Sequence, residues 1–155
     1  MACTVLVIDD SKVSRLQIIG TLKDAALFDR YCSAKDGLEG FNSLLESKAD
    51  LVLCELEMPR ADVFRFLQLV RARPELRDIP IIILTRCNDR ESKIRGLEQG
   101  ACDYVTKPFD AAELVARVKV HLKIKRLQDE LRRATEHYRG LSNTDPLTNL
   151  YNRRF

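Results

Sequence analysis

Short runs of consecutive apolar residues alternate along the chain with longer stretches in which apolar positions recur every three or four residues. Residues 51–54 are too few for a helix and show no polar alternation, the pattern of a central strand buried on both faces. Residues 4–8, rich in β-branched Val5, Val7 and Ile8, and residues 80–84 read the same way, and 31–34 and 102–105 predict two briefer strands. Between them Val13, Leu16, Ile19 and Leu22 recur at intervals of three behind Ser11, a capping residue. Leu38, Phe41, Leu44 and Leu45 give the next helix its apolar face, and Val63, Phe64, Leu67, Leu69 and Val70 the one after, which fades before Pro74. Ile94 and Leu97 mark a short polar helix behind Asn88 and Asp89, with Gly100 placed to end it. Five strand-helix alternations call for a parallel sheet covered by helices on both sides, an α/β fold.

The last helix departs from this pattern. It begins near Asp110, packs through Leu114, Val115 and Val118, and continues through Val120, Ile124, Leu127, Leu131, Ala134, Tyr138 and Leu141, in alternating steps of four and three. That spacing is a coiled-coil seam and predicts a homodimer, paired through this helix, through a face of the α/β domain, or through both. Basic residues beside the seam are interspersed with Asp129, Glu130 and Glu136, which is a solvated coiled-coil flank rather than a nucleic-acid-reading region.

Composition narrows the class. The chain has 155 residues, 45% of them hydrophobic, enough for one core and a modest extension. It contains no run of ~20 apolar residues and opens without a signal-peptide pattern, so a cytoplasmic protein without membrane partners is expected. A net charge of +3 does not argue for nucleic acid. Cys3, Cys32, Cys54, Cys87 and Cys102 show no C-x-x-C spacing and mostly fall in apolar segments, so they read as small, reduced core residues.

In a doubly wound sheet, Asp9, Asp10, Glu55, Thr85 and Lys107 all fall at strand carboxyl ends and converge on one rim. Clustered acids need a compensating cation; Mg²⁺ suits oxygen donors, and Lys107 supplies a second positive charge. Acids, metal, hydroxyl and lysine together suit the handling of a phosphoryl group.

The set Asp9-Asp10, Glu55-x-x-Met58-Pro59, Thr85 and Lys107-Pro108 resembles the receiver domain of two-component response regulators, over roughly residues 3–123. The resemblance implies a flavodoxin-like five-stranded sheet of order 2-1-3-4-5 with an extended C-terminal helix. It also implies weakly bound Mg²⁺ held by Asp9, through water, Asp10, position 55 and the Glu57 carbonyl. Thr85 and Lys107 would contact the phosphoryl oxygens, Tyr104 would change rotamer with Thr85, the Lys107–Pro108 bond would be cis, and a histidine kinase or phosphotransfer protein would be the partner. The family's phosphoacceptor is Asp, and this chain has Glu55, whose added methylene carries the carboxylate ~1.3 Å outward in a reaction that tolerates little misplacement. Val63 and Arg86 also depart from the pattern. Two readings follow: a pseudo-receiver or phosphomimetic acting as a dimerisation module, and a receiver still switched by phosphorylation with Mg²⁺.

Residues 144–155, Thr-Asp-Pro-Leu-Thr-Asn-Leu-Tyr-Asn-Arg-Arg-Phe, are similar to the opening of a GGDEF diguanylate cyclase domain. By residue type alone Asp145-Pro146 is a helix start. The resemblance implies a receiver (1–123), a coiled-coil stalk (124–142) and the first residues of a cyclase domain (143–155) in a longer protein that makes cyclic di-GMP. The chain itself is expected to have no catalytic activity.

Overall fold

A computed structural model describes residues 3–57, 63–86 and 90–143, with side chains described as far as residue 136. The elements run β1 (Thr4–Ile8), α1 (Lys12–Asp24), β2 (Arg30–Ala34), α2 (Gly37–Ser47), β3 (Leu51–Glu55), α3 (Val63–Arg71), a 3-10 turn (Pro74–Leu76), β4 (Ile81–Thr85), α4 (Arg90–Glu98), β5 (Asp103–Thr106) and α5 (Ala111–Asn143). All strands are parallel, in the order β2-β1-β3-β4-β5. The chain steps outward from β1 in one direction to β2 and in the other to β3, which makes the doubly wound switch point.

Alternation along the central strands sorts their side chains into two cores. Leu6, Ile8, Val52, Cys54, Ile81 and Ile83 meet Leu44 of α2 and Val63, Phe66, Leu67 and Val70 of α3. Val5, Val7, Leu51, Leu53, Ile82 and Leu84 face the other way, against Ile18 and Leu22 of α1 and Leu114, Val118 and Leu122 of α5. The unbroken apolar runs of β1, β3 and β4 follow from this double coverage. Deleting one such buried side chain, as in Leu53→Ala, costs about 2–5 kcal/mol.

The helices correct several expected faces. In α1, Val13 is 77% and Leu16 59% exposed, while Ile18 and Leu22, four apart, are sealed. Steps of three fall about 60° short of a full turn and drift off the buried face. In α3 the buried set is Val63, Phe66, Leu67 and Val70; Phe64 is instead partly covered, with the Arg95 guanidinium 4.0 Å from its ring centre. Leu38 of α2 is exposed, as are Ile94 and Leu97, and Gly96 is the buried residue of α4. Gly100 takes a left-handed φ of 121° just past α4, where Ala101 N–H donates to the Gly96 carbonyl at 2.9 Å. That is the expected helix stop. Among the described cysteines, all free, only Cys54 is in the core; Cys3 and Cys32 are half-buried and Cys102 is exposed. Cys87, Asn88 and Asp89 lie outside the described residues.

Helix α5 runs 33 residues without a break, through the expected boundary at residue 123. Among its described side chains, the last that is sealed is Leu122. Val120 (54%), Ile124 (46%), Leu127 (55%) and Leu131 (69%) are exposed, as is Ala134. Tyr138 and Leu141 fall on the helix, but their side chains lie outside the described set.

Candidate functional site

Asp9 follows β1, Glu55 ends β3, Thr85 ends β4 and Lys107 follows β5, so parallel register alone brings these residues to one sheet edge. Asp9, Glu55 and Thr85 are buried. Lys107 Nζ donates to Asp9 Oδ2 at 2.8 Å and to Ser14 Oγ at 2.8 Å, and forms an ion pair with Glu55 Oε2. Its backbone N–H donates to the Thr85 carbonyl at 2.7 Å, which fixes the lysine's root to the end of β4. The Lys107–Pro108 peptide bond is cis, as the resemblance implies.

Asp9 is held from several sides. Its Oδ1 accepts from the Ser11 N–H at 2.9 Å, and Arg15 donates to its carbonyl. Ser11 in turn caps α1, its hydroxyl accepting from the Ser14 N–H at 3.3 Å, so the helix start and the acid are one construction. Glu55 Oε1 has the Glu57 N–H at 3.5 Å, the long limit of a hydrogen bond.

Two buried carboxylates thus share one ammonium. Burial pushes the Asp9 carboxyl upward, but hydrogen bonds from Lys107, Ser14 and the Ser11 backbone outweigh it and hold the group below the usual carboxylate range. For Glu55, burial wins over its pairing with Lys107, and the nearby Asp9 charge adds to it, so its carboxyl titrates above the usual range. Burial disfavours the Lys107 ammonium, yet its two carboxylate partners more than compensate and raise its affinity for the proton.

The other expected residues fall around this cluster rather than in it. Asp10 is exposed on the rim of a cleft of about 230 Å³ that Asp9, Glu55, Glu57 and Arg86 also line. Tyr104 points under α4: its hydroxyl donates to the Ser92 carbonyl at 2.7 Å, and its ring lies against Gly96 and the core. Met58 and Pro59 are outside the described residues. The oxygen donors of Asp9, Asp10, Glu55 and the Glu57 carbonyl have the chemistry Mg²⁺ prefers. Among the described residues, however, no three acidic, histidine or cysteine side chains are gathered around a metal position. The Glu55 and Asp9 carboxylates are turned to Lys107 instead. Ser14 was not expected in the site; its position three residues past the Ser11 cap was the available signal.

A doubly wound sheet carrying buried acids and a strand-end lysine on its carboxyl edge defines a signalling receiver module. The chain belongs to the response regulator receiver domain family, whose model matches residues 5–119. Receiver domains are regulatory rather than catalytic, generally bind Mg²⁺ at the phosphorylation site, interact with histidine kinases or phosphotransfer proteins, and commonly dimerise. The chain is 35% identical over 123 residues to the phosphate regulon transcriptional regulatory protein PhoB of Klebsiella pneumoniae, covering 79% of this chain and 53% of the relative. It is 37% identical over 115 residues to the DNA-binding dual master transcriptional regulator RpaA of Synechocystis, covering 74% and 46%. It therefore spans about half the length of these relatives. Among solved structures, the Francisella response regulator 1452 receiver domain superposes with a TM-score of 0.70 at 31% identity, covering 78% of this chain and 97% of that one. A probable two-component system response regulator/GGDEF domain protein superposes at 0.73 and 30% identity, covering 80% of this chain and 50% of that one. Among the described residues no helix is long and apolar enough to cross a membrane.

Proposed function

We propose that the chain is a pseudo-receiver whose output is set by pairing of two copies rather than by phosphoryl transfer. The observation that carries this reading is the Glu55–Lys107 ion pair. The carboxylate at the phosphoacceptor position reaches the lysine that would contact a phosphoryl group, placing negative charge on the lysine's side of the cleft. One carboxylate has less charge and fewer acceptor oxygens than a phosphate, so the imitation of the phosphorylated state is partial. Mg²⁺ binds weakly, through Asp10, Asp9, Glu55 and the Glu57 carbonyl, in competition with Lys107. Thr85 and Tyr104 keep their family roles as phosphoryl contact and switch aromatic only in a variant that can be phosphorylated.

The output is a diguanylate cyclase domain beginning within residues 143–155, joined through the 124–142 stalk. Support comes from the motif in residues 144–155, which lies outside the described residues, and from the superposition on a GGDEF-containing regulator. The exposed Val120, Ile124, Leu127 and Leu131 support pairing through the stalk. Parallel pairing would set two cyclase domains side by side. PhoB and RpaA are named as transcriptional regulators; their likeness is confined to about half their length, and this reading gives the present module no nucleic-acid partner.

A second reading, a receiver still switched by a histidine kinase with Mg²⁺, draws on the cleft beside Glu55, which remains lined by Asp10 and Arg86. Sedimentation over a concentration series with and without a small phosphodonor and Mg²⁺ separates the two. A phosphodonor-independent dimer that Leu127→Glu with Leu131→Glu converts to a folded monomer supports the first. A dimer that forms only with phosphodonor, or a monomer throughout, contradicts it.

A further inference from the structure

Helix α5 carries two stripes. Leu114, Val118 and Leu122 seat it on the sheet, and the same stripe continues past the core as Lys125, Asp129 and Arg132. Val120, Ile124, Leu127 and Leu131 lie about 150° away around a helix of 3.6 residues per turn. The change from apolar to charged on the inner stripe marks where the helix leaves the core. Beyond Leu122 it is nonetheless tied down. Lys125 Nζ, largely shielded, pairs with Asp129 at 2.7 Å along the helix. Arg132 then reaches across to Asp78 of the receiver in an ion pair.

Asp78 sits between tethered neighbours. Its neighbours Leu76 and Ile79 are buried in the core. The Arg77 carbonyl accepts from Arg71, whose other terminal nitrogen donates to the Gly100 carbonyl, and Arg77 Nε donates back to the Arg71 carbonyl at 3.0 Å. Two residues past Ile79, β4 begins, and its far end is Thr85 in the carboxylate site.

We infer that Arg132 and Asp78 form a clasp that holds the first turns of the stalk in a fixed direction against their own receiver, while the Ile124, Leu127 and Leu131 stripe faces away, to a second copy of the chain. The inference rests on the pairing reading for its occupant. Ile at one seam position and Leu at the next is the combination that favours two parallel strands. Because the two stripes are on opposite sides, pairing does not have to break the clasp. The receiver thereby sets the angle at which the stalk enters the dimer, and a half-exposed ion pair is weak enough to open when the receiver shifts.

Hydrogen exchange by mass spectrometry over residues 125–136 tests the clasp in the full chain and, separately, in the Leu127→Glu, Leu131→Glu background where pairing is removed. In both, Asp78→Arg should speed exchange in that segment about two- to fivefold, the range of an exposed ion pair. Adding Arg132→Asp, which restores the pair with its charges swapped, should return exchange to the starting rate. Unchanged exchange in Asp78→Arg, or no recovery in the swap, would overturn the clasp. A monomeric wild type by sedimentation would instead overturn the pairing reading and leave the clasp standing.

Discussion

Lys107 Nζ stands 2.8 Å from Asp9 Oδ2, joining residues 98 apart in sequence, and the same ammonium also pairs with Glu55. One cation therefore neutralises two buried acids that would otherwise repel. This makes the lysine the structural centre of the site as well as its chemical one.

Removing that cation leaves both carboxylates buried without a cationic partner, with only backbone N–H groups and the Ser14 hydroxyl to offset their charge. Lys107→Met should cost about 3–5 kcal/mol of stability, measured by urea denaturation at neutral pH. Glu55→Gln should cost less, because Lys107 still serves Asp9 and one of two like charges is gone. Equal losses in the two variants would show that Lys107 is not shared as the geometry places it.

Asp103 gives the pH dependence. Burial pushes its carboxyl up, but His121, the Tyr104 N–H and Arg117, at 2.9 Å, more than offset this and hold it below the usual range. A depressed folded pKa contributes stability that is fully present above the unfolded carboxylate value and is lost as pH falls through the folded one. Asp103→Asn should therefore flatten stability against pH in the acid limb. Thermal melts from pH 7 to pH 3 would show it, and parallel acid limbs for the two proteins would refute it.

Gly96 is the floor of the Tyr104 seat. A Cβ there would lie 2.2 Å from the tyrosine hydroxyl and 3.1 Å from both its ring carbon and Ile83. Gly96→Ala should destabilise by about 1–3 kcal/mol through overpacking, and Tyr104→Phe should recover part of that by removing the closest atom. A double-mutant cycle without coupling would mean that Tyr104 and Gly96 do not meet.

How much of this the sequence revealed depends on periodicity. β3 and β4 were legible because a strand buried on both faces must be apolar throughout. Asp9, Glu55, Thr85 and Lys107 then converged by topology alone. The α1 face was misread because Val13 and Leu16 fit a three-residue repeat that drifts around the helix, whereas burial follows Ile18 and Leu22. Phe66 was passed over for Phe64, although Phe66, three residues after Val63 and four before Val70, has the spacing of one helix face with them and Phe64 does not. Asp10 was expected to hold the metal directly and Asp9 through water; the chain buries Asp9 against Lys107 and leaves Asp10 exposed on the rim. Ser14, the Gly96 seat and the Asp78–Arg132 pair depend on contacts between distant segments, which no local pattern encodes.

The central claim is that Glu55 engages Lys107 and cannot serve as a phosphoacceptor. Intact-mass measurement after incubation with a small-molecule phosphodonor and Mg²⁺ addresses it most directly. The wild-type mass should stay unchanged, because the extra methylene displaces the carboxylate by ~1.3 Å in a step sensitive to such misplacement. Glu55→Asp should gain one phosphoryl group under the same conditions, and Lys107→Ala in that background should abolish the gain. Stable addition of one phosphoryl group to wild-type Glu55 would contradict the account.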